Sequence, residues 1–77
     1  MEKILYVEDD LSLIDGLKYT LEVNGYSVDT ARTVKQALAV FRGNSYQLLL
    51  LDVTLPDGSG FDVCREVRKS SSVPIIF

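Results

Sequence analysis

Leu48-Leu49-Leu50-Leu51-Asp52-Val53-Thr54-Leu55-Pro56-Asp57-Gly58-Ser59-Gly60 carries the strongest structural signal in the chain. Four consecutive leucines, with no polar alternation, read as a strand covered on both faces. The run stops on a carboxylate. Leu55-Pro56-Asp57-Gly58 then suits a turn with Pro at its second position and Gly at its fourth. Asp52 therefore stands at the carboxyl end of a buried strand, the place where ligands bind in open α/β sheets. Near the amino terminus a second apolar run, Ile4-Leu5-Tyr6-Val7, also ends on acids, Glu8-Asp9-Asp10.

Working outward from Asp52, strands and helices alternate. Lys3 to Val7 reads as a short buried strand. Asp10 or Ser12 caps a helix running to about Asn24, with Leu11, Ile14, Leu17 and Leu21 on its apolar face. Asn24-Gly25 stops it, since Gly accepts a left-handed conformation. Tyr26 to Ala31 alternates as a second strand. Thr33-x-x-Gln36 is a capping box, and Val34, Ala37, Leu38 and Phe41 follow at helical spacing until Gly43-Asn44. Tyr46 to Leu51 is the third strand. Ser59 caps a third helix with Phe61, Cys64 and Val67 facing inward. Ser70-Ser71-Ser72 forms a loop, and Val73 to Phe77 begins a fourth strand. The order β-α-β-α-β-α-β implies parallel strands with right-handed crossovers. No internal repeat, low-complexity tract or linker interrupts it.

Composition narrows the function classes. Seventy-seven residues allow one small domain. A hydrophobic content of 47% with 25% charged residues fits a globular chain. The net charge is -3 and the eight Lys and Arg residues are scattered, which argues against nucleic-acid contact by this segment. No apolar stretch approaches the roughly 20 residues needed to span a bilayer. Met1-Glu2-Lys3 leads into an apolar run too short for a signal peptide. Cys64 is the single cysteine and there is no histidine, so an internal disulfide and a zinc site are excluded. These features lead us to expect a cytoplasmic protein without a membrane partner.

If the first and third strands are neighbours, Glu8, Asp9 and Asp52 meet at one sheet edge. Three carboxylates so placed repel one another, and a hard cation removes the conflict. Oxygen donors in small number suit Mg²⁺. A metal held there neutralises a phosphoryl group while a carboxylate attacks it, and carboxylates do form aspartyl phosphates. Asp52 is the better nucleophile, standing alone at its strand end. The competing reading is that acids after strands serve as helix caps or solvated loop ends. The pattern alone leaves both readings open.

Tyr6-Val7-Glu8-Asp9-Asp10, followed by Leu50-Leu51-Asp52-Val53-Thr54-Leu55-Pro56-Asp57-Gly58-Ser59-Gly60, resembles the receiver domain of bacterial two-component response regulators, most of all the class with a winged-helix DNA-binding domain. The resemblance runs from Lys3 to Phe77. It implies a partial flavodoxin-like (CheY-like) three-layer α/β fold. It also implies that Asp52 accepts a phosphoryl group from a sensor histidine kinase. Glu8, Asp9, Asp52 and the backbone carbonyl of Thr54 would then hold Mg²⁺. Asp10 reads as the cap of the first helix. The protein would act as a switch rather than a turnover enzyme, controlling a DNA-binding output domain.

The family fold has five strands and five helices. Residues 1–77 are accordingly expected to form a single, incomplete N-terminal receiver segment, without the last strand and last two helices. The family's phosphate-contacting Ser or Thr and its Lys at the end of the fifth strand fall outside it. An open fourth-strand edge then invites self-association, as a dimer or by exchange of elements. Other classes fit less well. A phosphatase of the haloacid dehalogenase type resembles D-x-D-x-T, whereas Asp52-Val53-Thr54-Leu55 lacks the second acid. An FMN binder needs a hydroxyl- and glycine-rich loop where this chain has Glu8-Asp9-Asp10. A non-phosphorylated interaction module remains the main alternative.

Remaining residues read as structural. Cys64 faces the core, and Tyr6, Tyr19, Tyr26 and Tyr46 serve packing. Gly16 marks close packing or surface tolerance within the first helix. Asp57 forms the turn, and Arg65, Arg68 and Lys69 complement the end of the third helix.

Overall fold

A computed structural model describes residues 2–77. In chain order the elements are β1 (Lys3–Val7), α1 (Leu11–Val23), β2 (Ser27–Ala31), α2 (Val34–Arg42), β3 (Leu48–Leu51), β4 (Thr54–Leu55), β5 (Gly58–Ser59), α3 (Gly60–Val67) and β6 (Ile75–Ile76). The main sheet is parallel, ordered β2-β1-β3-β6, and β4 and β5 form a separate antiparallel hairpin. β1 and β3 are adjacent, with Ile4 opposite Leu48 and Val7 opposite Leu51. The adjacency on which the acidic constellation depends is therefore present.

Strand alternation sorts side chains into two apolar layers. Leu5, Val7, Ala31, Leu49 and Leu51 pack with Ala37 of α2 and with Val63 and Val67 of α3. On the opposite face Tyr6 and Val28 pack with Ile14, and Leu17, Leu21 and Leu50 close around them. This is the three-layer α/β arrangement expected from the sequence: α1 on one face, α2 and α3 on the other. Leu5 and Leu49 are fully buried, and truncating either to Ala costs about 2–5 kcal/mol. No helix among the described residues is long and apolar enough to cross a membrane.

Helix starts follow local chemistry. Asp10 caps α1, with Oδ1 accepting from the Ser12 and Leu13 N–H groups at 2.9 and 3.4 Å. Ser59 and Asp62 form a reciprocal capping box on α3. The box expected at α2 is displaced. Thr33 Oγ1 accepts from Gln36 N at 3.0 Å, but Gln36 Oε1 accepts from Arg32 N at 2.9 Å instead of from Thr33 N.

Several expected boundaries and faces differ. β6 covers Ile75–Ile76 instead of Val73–Phe77, because Val73 is occupied elsewhere. Its N–H donates to Ser71 Oγ and its carbonyl accepts from Arg68 Nη1 at 2.6 Å. Pro74 has no N–H to give, although its carbonyl accepts from Leu49 N at 2.9 Å. β3 begins at Leu48, just after Gln47 N donates to the Lys3 carbonyl at 2.9 Å, and the Tyr46 hydroxyl donates to Asp29 Oδ2 at 2.6 Å. β2 begins at Ser27, and Tyr26 N donates to the Leu21 carbonyl in the turn after α1.

Phe61 is 53% exposed, not inward; the buried stripe of α3 is Gly60, Val63 and Val67, one position away. Its ring packs on Phe77 at 4.7 Å between centroids. Cys64 is half-buried against the core. Leu11 is exposed too, one turn ahead of Ile14 and past the strand ends. Of the four tyrosines, Tyr6 and Tyr46 are buried, whereas Tyr19 and Tyr26 are exposed. Nothing lies within 4 Å of a methyl placed on Gly16, which decides for surface tolerance over close packing.

Candidate metal centre

The parallel register carries Glu8 and Asp52 to the same sheet edge. Asp52 N donates to the Val7 carbonyl and Glu8 N to the Ala31 carbonyl, both at 3.0 Å, so the carboxyl ends of β1, β2 and β3 are tied together. One carboxylate oxygen from each of Glu8, Asp9 and Asp52 lies within 4.8 Å of the others. The structure thus brings together the three acids singled out in the sequence. Glu8 is the buried charged residue among the described residues, while Asp9 and Asp52 are half-buried.

Glu8 organises the turn that follows it. Its Oε2 accepts from Asp9 N at 3.1 Å and from Asp10 N at 3.2 Å. Burial pushes its carboxyl above the ordinary glutamate range, the Asp10 N–H pulls it back, and the Asp52 carboxylate against it pushes it up again. The Tyr6 hydroxyl beneath is raised by burial and by the charges of Glu8, Asp52 and Asp10. Such crowding of negative charge is what a divalent cation relieves. Oxygen-only donors at this spacing fit a hard ion such as Mg²⁺.

Asp10 stands apart from the trio, engaged with Ser12 and Leu13, and those hydrogen bonds hold its carboxyl below the ordinary range. Thr54 opens the β4–β5 hairpin directly after Asp52 and Val53, and its side chain is exposed. Gly60 N donates to the Val53 carbonyl at 3.0 Å, fastening α3 against the end of β3. A methyl group on Gly60 would sit 2.2 Å from the Asp52 carbonyl oxygen. The glycine is therefore a requirement of the site.

Asp57 does more than form a turn. Its carboxylate accepts from Val34 N at 2.7 Å and Lys35 N at 3.1 Å, capping α2 from the hairpin. Those N–H groups hold its carboxyl below the ordinary range. Sequence reasoning missed this role because the partners lie 22 and 23 residues away. Asp57 is committed to α2, not to the acid trio.

A groove of about 270 Å³ runs beside the trio, lined by Tyr6, Leu17, Leu50 and Ile76 together with Glu8 and Asp52. A larger cavity of about 380 Å³ lies by Phe41, Tyr46 and Ser70 and includes none of the three acids. The acid trio borders the smaller one.

The family described as the response regulator receiver domain matches residues 4–77. The chain belongs to this family. Over 75 residues the receiver domain is 47% identical to the probable transcriptional regulator ycf27 of Pyropia yezoensis, covering 97% of this chain and 31% of that protein. It thus spans about a third of the length of the curated relatives it matches. Among solved structures, the response regulator TrrA of Thermotoga maritima in complex with Mg²⁺-BeF superposes with a TM-score of 0.88 at 38% identity, over 92% of this chain and 62% of that one. The complex of histidine kinase ThkA with response regulator TrrA gives a TM-score of 0.89 at 37% identity, over 97% and 66%. The order β2-β1-β3-β6 and the acid trio at the strand ends agree with the receiver fold expected from the sequence.

Proposed function

We propose that this receiver domain accepts a phosphoryl group on Asp52 from a sensor histidine kinase, with Mg²⁺ held by Glu8, Asp9, Asp52 and the Thr54 carbonyl. The modified state then controls a DNA-binding output domain in a two-component system of the cytoplasm. The observation that carries the reading is the convergence of the three carboxylates within 4.8 Å at the ends of β1 and β3. A response regulator relative that binds Mg²⁺-BeF, another structure with a histidine kinase bound, and relatives named as transcriptional regulators support it.

In the transfer, an Asp52 carboxylate oxygen attacks phosphorus and the phosphorus–nitrogen bond of the phosphohistidine breaks. The bonding pair returns to the imidazole, which takes up a proton. Mg²⁺, when bound, offsets the charge on the phosphoryl oxygens. Glu8 is braced by two backbone N–H groups and Asp52 by the adjacent strand, so both enter the reaction already positioned. The protein is a switch modified once per signal, not a turnover catalyst. It contacts the kinase through this edge and no nucleic acid directly. Self-association, as a dimer or by exchange of elements, belongs to the same proposal; sedimentation as a stable monomer would remove it.

The test is intact-mass spectrometry after incubation with Mg²⁺ and a small phosphodonor or a phosphorylated kinase domain. A single phosphoryl adduct is expected, lost in Asp52→Asn and on chelation with EDTA. Full labelling of Asp52→Asn would overturn the acceptor assignment. Steady hydrolysis without an adduct would favour a phosphatase, and no reaction would favour a non-phosphorylated interaction module.

A further inference from the structure

Arg32 follows β2 and reaches across the sheet edge. Its Nη2 donates to the Asp9 carbonyl at 3.1 Å. The arm is anchored at its base, since Arg32 N donates to Gln36 Oε1 at 2.9 Å and the preceding Ala31 carbonyl accepts from Glu8 N at 3.0 Å. Among the described residues, Arg32 is the cation in hydrogen-bond contact with a member of the acid trio. Lys3 pairs with Asp29, Arg65 with Asp62 and Lys69 with Glu66.

The β1–α1 turn is therefore held from two sides. Its N–H groups at Asp9 and Asp10 are held by the Glu8 carboxylate, and its Asp9 carbonyl by Arg32. These braces are not equivalent. In the receiver reading, on which this inference rests, the Glu8 carboxylate must also serve a metal ion, so its oxygen is shared. The Arg32 brace uses no metal-facing atom. We propose that Arg32 is a positioning residue, fixing the Asp9 backbone so that the Asp9 carboxylate is aimed at the ion. It acts by geometry and against its own charge, because a cation beside the site disfavours Mg²⁺ by simple repulsion.

That opposition makes the sign of one experiment decisive. Mg²⁺ binding is titrated calorimetrically in the full chain and in Arg32→Ala and Arg32→Lys. Urea unfolding without metal runs in parallel to identify any variant that merely fails to fold. If Arg32 positions Asp9, Arg32→Ala weakens Mg²⁺ binding by up to about tenfold, the low end for loss of an outer partner of a metal ligand, since the guanidinium is exposed. Arg32→Lys keeps the charge and a donor and recovers part of the loss. Amide exchange at Asp9 and Asp10 in metal-free Arg32→Ala accelerates relative to the parent, a readout independent of the ion. Unchanged or tighter Mg²⁺ binding in Arg32→Ala, with the parent binding normally, would overturn the inference and leave the receiver reading intact. A parent chain whose Mg²⁺ binding is insensitive to Asp9→Ala would overturn both.

Discussion

Replacing Gly60 with alanine drives a methyl group into the backbone of Asp52. The added carbon would lie 2.2 Å from the Asp52 carbonyl oxygen and 3.1 Å from both its carbonyl carbon and Phe77 Cε1, where ordinary contact begins at 3.4 Å. A displacement of about 1.2 Å, the difference between 3.4 and 2.2, is therefore required. Neither partner yields freely. Asp52 N is bonded to the Val7 carbonyl and Gly60 N to the Val53 carbonyl, each at 3.0 Å. Overpacking costs about 1–3 kcal/mol and one weakened backbone hydrogen bond about 1 kcal/mol more, so a loss of roughly 2–4 kcal/mol is expected. Gly25→Ala is the control. Gly25 has φ +93 with nothing within 4 Å of a methyl, so only the left-handed backbone is strained, at about 1 kcal/mol. Urea midpoints with a common slope measure both. Under the proposed function, a shift of Asp52 by about 1 Å also slows phosphorylation, by roughly 100-fold where the variant still folds. If Gly60→Ala cost no more than Gly25→Ala and labelled at the parent rate, the tight seating of α3 on Asp52 would be refuted.

Further expectations concern the surface, the metal and pH. Gly16→Ala, on an open face of α1, stabilises by up to about 1 kcal/mol by helix propensity; any loss in the urea midpoint would contradict its open setting. Mg²⁺ at 100 times its dissociation constant adds about 2.7 kcal/mol to the unfolding free energy, and Asp9→Ala removes most of that gain in the same titration. Burial and then Asp52 raise the folded Glu8 carboxyl, so its protonated form favours the fold. That stabilisation is complete below the unfolded value of about 4.3 and fades as pH rises through the raised folded value. Metal-free Glu8→Gln therefore gains stability relative to the parent as pH increases across this window, and a difference that shrinks or stays flat would sink the reading. Saturating Mg²⁺ removes the parent's disadvantage.

Much of this molecule was written in short-range pattern. The leucine tract, the acids after Val7 and Leu51, the Asp10 and Ser59 caps and the Gly25 stop each depend on residues within a few positions of one another. Local hydrogen bonding and side-chain periodicity act at that range, so they were legible in one dimension. The alternation of strands and helices then implied a parallel sheet, and with it the edge at which Glu8, Asp9 and Asp52 meet.

What folding alone decided lies between elements distant in the chain. The capping of α2 by Asp57, the reach of Arg32 to Asp9 and the seating of Gly60 on Asp52 have no local signature, because each is a contact whose partner the sequence does not mark. The same holds for the faces that were misread. Phe61 fits an inward helical period, yet the register of α3 against the sheet is set by Gly60, the residue small enough to approach the Asp52 backbone, and that rotation carries Phe61 outward. Periodicity identifies which residues share a face. Only packing against a particular neighbour determines which way that face turns.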